Sequence, residues 1–322
     1  MRQGSKATQL HNTTERHEEA ERESKVSSSK GRMGLLLLLQ VLLVAAAARA
    51  PAAQAWGKEG HYMTCKIADG FLTSEASAAV KELLPSWADG ELAEVCAWAD
   101  KQRFRYRWSS PLHFADTPGD CNFSYARDCH DTKGNKDVCV VGAINNYTAA
   151  LEDPSSPYDR TESLMFLAHF VGDVHQPLHC GHVDDLGGNT IKLRWYRRKS
   201  NLHHVWDSDV ITQAMKDFYN RDQDTMIEAI QRNITEVWSS EEKQWEACGS
   251  QTKITCAEKY AKESALLACD AYEGVEQGDT LRDDYYFRAL PVVEKRIAQG
   301  GVRLAVILNQ IFSGKNSRLQ SI

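Results

Sequence analysis

Basic side chains are in short supply in this sequence. Its 322 residues carry 38 Lys/Arg against 44 Asp/Glu. Eight of the basic and five of the acidic residues lie in residues 1–55, so the remainder keeps 30 and 39, a net charge of −9. Proteins that hold nucleic acid by counterion release usually show a basic face. Composition offers none here, and a polyanion would need another source of positive charge, such as bound metal. Internal repeats of solenoid length are also missing, and no long Gly/Ser/Pro linker divides residues 56–313. One domain is the simplest reading. Beyond residue 55 there is no apolar run long enough to span a bilayer.

The one long apolar run lies near the start, in MGLLLLLQVLLVAAAARAPAAQA from Met33. Ala53-Gln54-Ala55 has the small-x-small form that signal peptidase requires. The strongly apolar part, Leu35 to Ala48, is short for a membrane anchor, and Arg49 and Pro51 interrupt it. Residues 33–55 therefore read as a signal peptide. Residues 1–32, polar and charged, read as a disordered or spurious extension ahead of a true start at Met33. The chain from Trp56 onward is expected to be soluble, monomeric and without stable membrane association. Its expected location is the secretory pathway, extracellular or vacuolar. Three sequons agree: Asn122-Phe-Ser, Asn146-Tyr-Thr and Asn233-Ile-Thr.

Helical periodicity runs through 60–71, 74–84, 93–103, 140–151, 160–169, 209–219, 224–239, 254–272 and 281–311, the last with a break expected near Pro291. The alternating run from Thr190 to Tyr196, entered from the Gly187-Gly188-Asn189 turn, reads as a strand. The expected fold class is mainly α: a single compact multi-helix domain over 56–312 with a small β element. The tail 313–322 shows no pattern. Nine cysteines in a secreted chain point to disulfides, but eight of them allow 105 pairings.

Histidines and acids recur at telling distances. His169-Phe-Val-Gly-Asp173 places an imidazole and a carboxylate four residues apart, on one face of a helix. His179 follows Gln176-Pro177, where that helix should break. His203-His-Val-Trp-Asp207 repeats the spacing, with His204 as a competitor for His203. Upstream stand Asp100 in Trp98-Ala-Asp and His113 in Leu112-His-Phe. Imidazole nitrogen with carboxylate oxygen is a ligand mix that zinc accepts. A single such pair is more often an ordinary helix-surface contact. Two pairs plus His179 make metal binding a serious reading, which spacing alone does not decide.

Taken in order, Trp56-Gly-x-x-Gly-His61, Trp98-Ala-Asp100, His113-Phe114, His169-x-x-x-Asp173, Gln176-Pro-Leu-His179, Gly187-Gly-Asn189 and Leu202-His203-x-Val-Trp206-Asp207 resemble the S1/P1 nuclease family, its plant bifunctional nucleases above all. Bacterial zinc phospholipase C is a distant relative of that family. The resemblance spans essentially all of 56–312 and implies a phospholipase C/P1 nuclease-like fold with three zinc ions. By position it implies Asp100, His113, His169 and Asp173 at the first. It implies His179, His203 and Asp207 at the second. At the third it implies the amino nitrogen and carbonyl oxygen of Trp56, His61 and a bridging Asp173. The ions would activate the attacking water and stabilise the departing 3′-oxygen, leaving products with 5′-phosphates. Single-stranded DNA and RNA are the implied substrates, with 3′-nucleotidase activity as a further option. Asp100 would also orient or deprotonate the water, and Arg103 would stabilise the phosphate in the transition state. Phe114, Asp116 and Asn146 would contact a base or line the cleft. The implied disulfides are Cys65–Cys96, Cys121–Cys269, Cys129–Cys139 and Cys248–Cys256, leaving Cys180 over, which departs from the family's usual pattern. The rival activity is a zinc phospholipase C. The rival without catalysis is a zinc-storing or lectin-like binding protein.

Overall fold

Local punctuation decides where the helices start and stop. The computed structural model describes residues 56–248 and 254–313. The expected extension 1–32, the expected signal peptide 33–55 and the tail after 313 lie outside the described residues. Among the described residues nine longer helices carry the fold: α1 (Lys58–Asp69), α2 (Ser74–Leu83), α3 (Val140–Glu152), α4 (Arg160–His175), α5 (Val210–Phe218), α6 (Gln223–Glu236), α7 (Ser239–Glu246), α8 (Ala257–Tyr272) and α9 (Asp283–Ser313). Thr73 caps α2 by accepting from the Ala76 amide at 3.2 Å. Asp159 caps α4 by accepting from Glu162 N at 2.8 Å. α4 is buried continuously from Ser163 to His175, so it runs through the interior rather than over it. It ends before Pro177, which lacks an amide donor and crowds the carbonyl four residues back.

Apolar side chains gather in two clusters that α9 joins. One surrounds α4, with Phe166, Phe170 and Tyr147; the other holds Trp56, Trp195, Trp206 and Tyr286. Leu304 and Leu308 of α9 belong to the first, and Val293, Ile297 and Val302 to the second. α9 approaches α1 closely at Gly301, where an added Cβ would lie 2.5 Å from Ile67 Cγ2.

Three local expectations need correction. The break at Pro291 does not occur, and α9 continues for 31 residues. Proline in a helix interior costs about 3 kcal/mol. Burial of Leu290, Val293 and Ile297 around it returns about 1.5–3 kcal/mol per fully buried side chain, enough to hold the helix together. The helix expected over 93–103 is two short ones, Leu92–Val95 and Trp98–Gln102. Between them Cys96 is tied to Cys65, and its carbonyl oxygen is taken by His169. The helix expected to reach 239 stops at Glu236, and α7 starts afresh at Ser239.

The β element is larger than the sequence pattern showed. β1 (Lys192–Trp195) pairs antiparallel with β2 (Arg198–Asn201) and parallel with β3 (Thr280–Leu281), in the order β2-β1-β3. β2 reads Arg-Lys-Ser-Asn and β3 has two residues, so neither carries an apolar alternation to detect.

Four disulfides join Cys65–Cys96, Cys121–Cys269, Cys129–Cys139 and Cys248–Cys256, the pairs the resemblance implies. Cys180 is unpaired and buried, and burial pushes its thiol far up from its ordinary value, which keeps it unreactive. Among the described residues no helix is long and apolar enough to cross a membrane.

Candidate metal centre

Helical spacing puts His169 and Asp173 on one face of α4, with His169 Nε2 3.2 Å from Asp173 Oδ2. α1 brings His61 to the other oxygen: His61 Nε2 lies 3.2 Å from Asp173 Oδ1, and its ring stacks on His169 at 4.0 Å. Gly172 makes that approach possible, since a Cβ there would sit 2.7 Å from His61 Nδ1. Trp56 packs beside it, with Cδ1 3.8 Å from the same point. His113 Nδ1 lies 3.0 Å from Asp173 Oδ2 and 3.7 Å from Asp100 Oδ1. Asp173 therefore faces three imidazoles at once. Arg103 Nη1 stands 3.7 Å from Asp100 Oδ1, one helical turn away as the spacing required.

A second group is built beside the first by main-chain pairing. Residues 113–117 run alongside 179–183: Ala115 N donates to His179 O, Thr117 N to Gly181 O and Val183 N to Thr117 O, at 2.7–2.8 Å. His179 Nδ1 donates to His113 O at 2.6 Å, which ties the two groups together. His203 Nε2 lies 3.4 Å from Asp207 Oδ2, with the His179 and His203 rings 5.0 Å apart. His204 is exposed and joins through its main-chain N, which donates to Asn201, so the competition resolves to the buried His203.

The donor atoms of His61, His169 and Asp173, of Asp100, His113 and His169, and of His179, His203 and Asp207 each lie within 4.8 Å of one another. Their chemistry fits divalent cations. His169, His179 and His203 each donate through Nδ1 to a carbonyl oxygen, of Cys96, His113 and Gly187 respectively. A ring nitrogen that donates to a carbonyl leaves Nε2 as the nitrogen turned toward an ion. Both Asp173 oxygens, Asp100 Oδ1, both His61 nitrogens and His113 Nε2 are buried without a hydrogen-bond partner. Buried polar atoms left this way are costly, and an ion would satisfy them.

Electrostatics agrees. Burial, then the neighbouring histidines, holds His61 and His113 well below the ordinary imidazole value, as neutral donors. Burial opposes charge on His169 too, but the carboxylates of Asp173 and Asp100 outweigh it and raise its pKa to about 9, so a cation bound there would displace a proton. Burial pushes Asp173 up to about 7 and Asp207 well above the carboxylate range. Carboxylates this deep are costly to ionise alone and are readily ionised against a cation.

The remaining candidates lie at varied places. Phe114 is half-buried beside His113, and its carbonyl accepts from Val140 N at 3.0 Å. Burial, then Asp185, holds the Asp116 carboxyl well above its usual range. Asn146 is exposed on α3, and the structure does not bring it together with the ligand cluster by any hydrogen bond among the described residues. Asn122 is exposed and Asn233 half-buried. Of the histidines left without a role, His175 is buried between Val171 O and the Arg303 guanidinium, His182 stacks on Tyr272, and His130 is exposed.

Sequence reasoning missed the supports of the ligands. Gln176 Nε2 donates to Asp207 Oδ1 at 2.6 Å, while Gln176 Oε1 accepts from Leu178 N at 2.6 Å. Gln176 opens the Gln176-Pro-Leu-His179 motif, so its signal was present. The carbonyls of Cys96, His113 and Gly187 have none, because every residue type carries one.

A helical scaffold threaded by disulfides, holding a buried imidazole–carboxylate centre, defines a class. The family model described as S1/P1 Nuclease matches residues 56–313. The chain belongs to that family and is an S1/P1-type nuclease. It is 54% identical over 270 residues to Endonuclease 4 of Arabidopsis thaliana, covering 81% of this chain and 90% of the relative. It is 49% identical over 294 residues to Endonuclease 2 of the same plant, covering 89% and 100%. Nuclease P1 of Penicillium citrinum is 31% identical over 270 residues, covering 80% and 97%.

Proposed function

We propose that this protein is a secreted, zinc-dependent endonuclease that hydrolyses single-stranded DNA and RNA to products bearing 5′-phosphates, with 3′-nucleotidase activity at the same centre. The observation that carries the reading is Asp173, a fully buried carboxylate facing His61, His113 and His169 with no hydrogen bond to either oxygen. Asp100, His113, His169 and Asp173 would hold one zinc ion, and His179, His203 and Asp207 a second. His61, Asp173 and the main-chain nitrogen and oxygen of Trp56 would hold a third. Bound zinc supplies Lewis acidity, a water of lowered pKa and the positive charge that a chain of net −9 otherwise lacks.

The residues of the chain do the rest. Asp100, held near Arg103 at the edge of the cluster, orients the attacking water and takes its proton. The Arg103 guanidinium donates to the non-bridging phosphate oxygens as charge builds on them. Phe114 offers a face for an unpaired base and Asp116 a polar contact to its edge. Stacking needs an unpaired base, so single strands are preferred over duplex. Asn146 lines the outer cleft or carries glycan, and Asn122 and Asn233 accept glycan in the secretory pathway.

Metal analysis of the protein together with assays on single-stranded DNA, RNA and phosphatidylcholine tests this. Three zinc ions per chain, removed together with nuclease activity on chelation, are expected. Full nuclease activity in chelator, or turnover of phosphatidylcholine without nucleic-acid cleavage, overturns it.

A further inference from the structure

Residues 101–108 read Lys-Gln-Arg-Phe-Arg-Tyr-Arg-Trp: four cations, three aromatics and no acid, in a chain whose net charge from Trp56 onward is negative. The segment leaves the metal centre at Asp100 and returns to it at His113, and these two ligands stand 3.7 Å apart. A segment closed at both ends on the centre is held beside it.

Its side chains divide into two sets. Tyr106 and Ser109 anchor it: the Tyr106 hydroxyl donates to Glu162, its ring meets Phe166 edge-on, and the Ser109 hydroxyl donates to Tyr106 O. Lys101, Phe104, Arg105, Arg107 and Trp108 face solvent. Among the described residues none of Lys101, Arg105 and Arg107 makes an ion pair, whereas Arg103 turns inward to Asp100. Phe104 is 90% exposed, against 65% for Val237, the next most exposed large hydrophobic among the described residues. Trp108 is 54% exposed, with its inner edge on Phe166. Single exposed apolar residues are ordinary. Two exposed aromatic faces interleaved with guanidinium groups that make no ion pair among the described residues combine the stacking and the phosphate charge that a single strand recognises.

We propose that this loop is an extended strand-binding ridge. Arg105, Arg107 and Lys101 would contact phosphates beyond the scissile bond, and Phe104 and Trp108 would stack the unpaired bases between them. The proposal rests on the nuclease reading above and adds to it: the substrate is gripped over several nucleotides outside the centre, so longer strands are cut more efficiently than short ones. Net negative charge elsewhere does not oppose this, because screening confines the exposed charges to about 8–10 Å at physiological salt.

The test compares an oligothymidylate of about twelve nucleotides with a dinucleoside monophosphate, for the zinc-loaded full chain and its variants. In the double variant Arg105→Ser with Arg107→Ser, the ratio of kcat/KM for the long strand to that for the dinucleotide should fall about tenfold. The salt dependence of log(kcat/KM) on the long strand should flatten by about 1.4, since each phosphate of a single strand that a cation neutralises adds about 0.7 to the slope. Phe104→Ala should lower the same ratio without changing the salt slope. Arg232→Ser, at an exposed arginine on α6, should change neither. Equal effects on both substrates, or none on either, overturn the ridge while leaving the nuclease reading intact. No turnover of either substrate by the unaltered protein overturns the nuclease reading and the ridge with it.

Discussion

Single residues at the metal centre act through their supports as much as through their ligand atoms. Gln176 fills both ends of its amide, one on Asp207 and one on Leu178 N, and is fully buried. It fixes which Asp207 oxygen turns toward His203 and orders the turn that carries His179. Replacing such a support typically costs about 10–100-fold in metal affinity. Gln176→Leu removes both bonds, and Gln176→Glu keeps the acceptor for Leu178 but removes the donor for Asp207. Both should lower zinc affinity by about that amount, measured by competition with a chromophoric chelator, with one ion released first. Unchanged affinity in Gln176→Glu would show that the bond to Asp207 does not matter. This support was readable as a motif, but its partner was not. Gln176 and Asp207 are 31 residues apart, and nothing in their types announces a bond.

Elements, not residues, determine how close the ligands come. α1 carries His61, and α9 packs against α1 through Gly301, beside Ile67 and Thr64 O. Gly301→Val would push a branched side chain into Ile67, and overpacking of this kind costs about 1–3 kcal/mol. The thermal midpoint should drop by several degrees in calorimetry, and zinc binding should weaken as α1 shifts. A midpoint equal to that of the unaltered protein would mean that the helix pair can part without cost. The helices themselves were largely legible, because apolar period, caps and the Gln176-Pro177 stop are local properties. The failures were also of one kind. Pro291 was overruled by burial on both sides, and the 93–103 segment was divided by a disulfide and by His169. β2 and β3 were invisible because their pairing with β1, rather than their own composition, makes them strands.

At the scale of the whole molecule, Trp56 and the metal centre are joined. Trp56 is fully buried in one apolar cluster, and Gly57 N donates to the carbonyl oxygen of the ligand candidate Asp207 at 2.8 Å. If the Trp56 amine is a ligand, the third site requires a chain that begins at Trp56, and cleavage after Ala55 would create it. A variant keeping one alanine before Trp56 should bind two zinc ions instead of three and lose most of its activity. Three ions and full activity in that variant would exclude the amine as a ligand.

The sequence by itself determined the chemistry available: His-x-x-x-Asp twice, acids and histidines in a fixed order, cysteines enough for bridges, and a net charge that is negative. Those are properties of residue type and helical spacing, which need no tertiary contact. Only the tertiary structure decided that Asp173 faces three imidazoles, that His203 rather than His204 turns inward, and that an arginine–aromatic loop begins and ends at the centre. Each of these depends on segments far apart in the chain meeting at distances of a few ångströms. Burial and main-chain hydrogen bonds set those distances, and neither is written in the identity of any one residue.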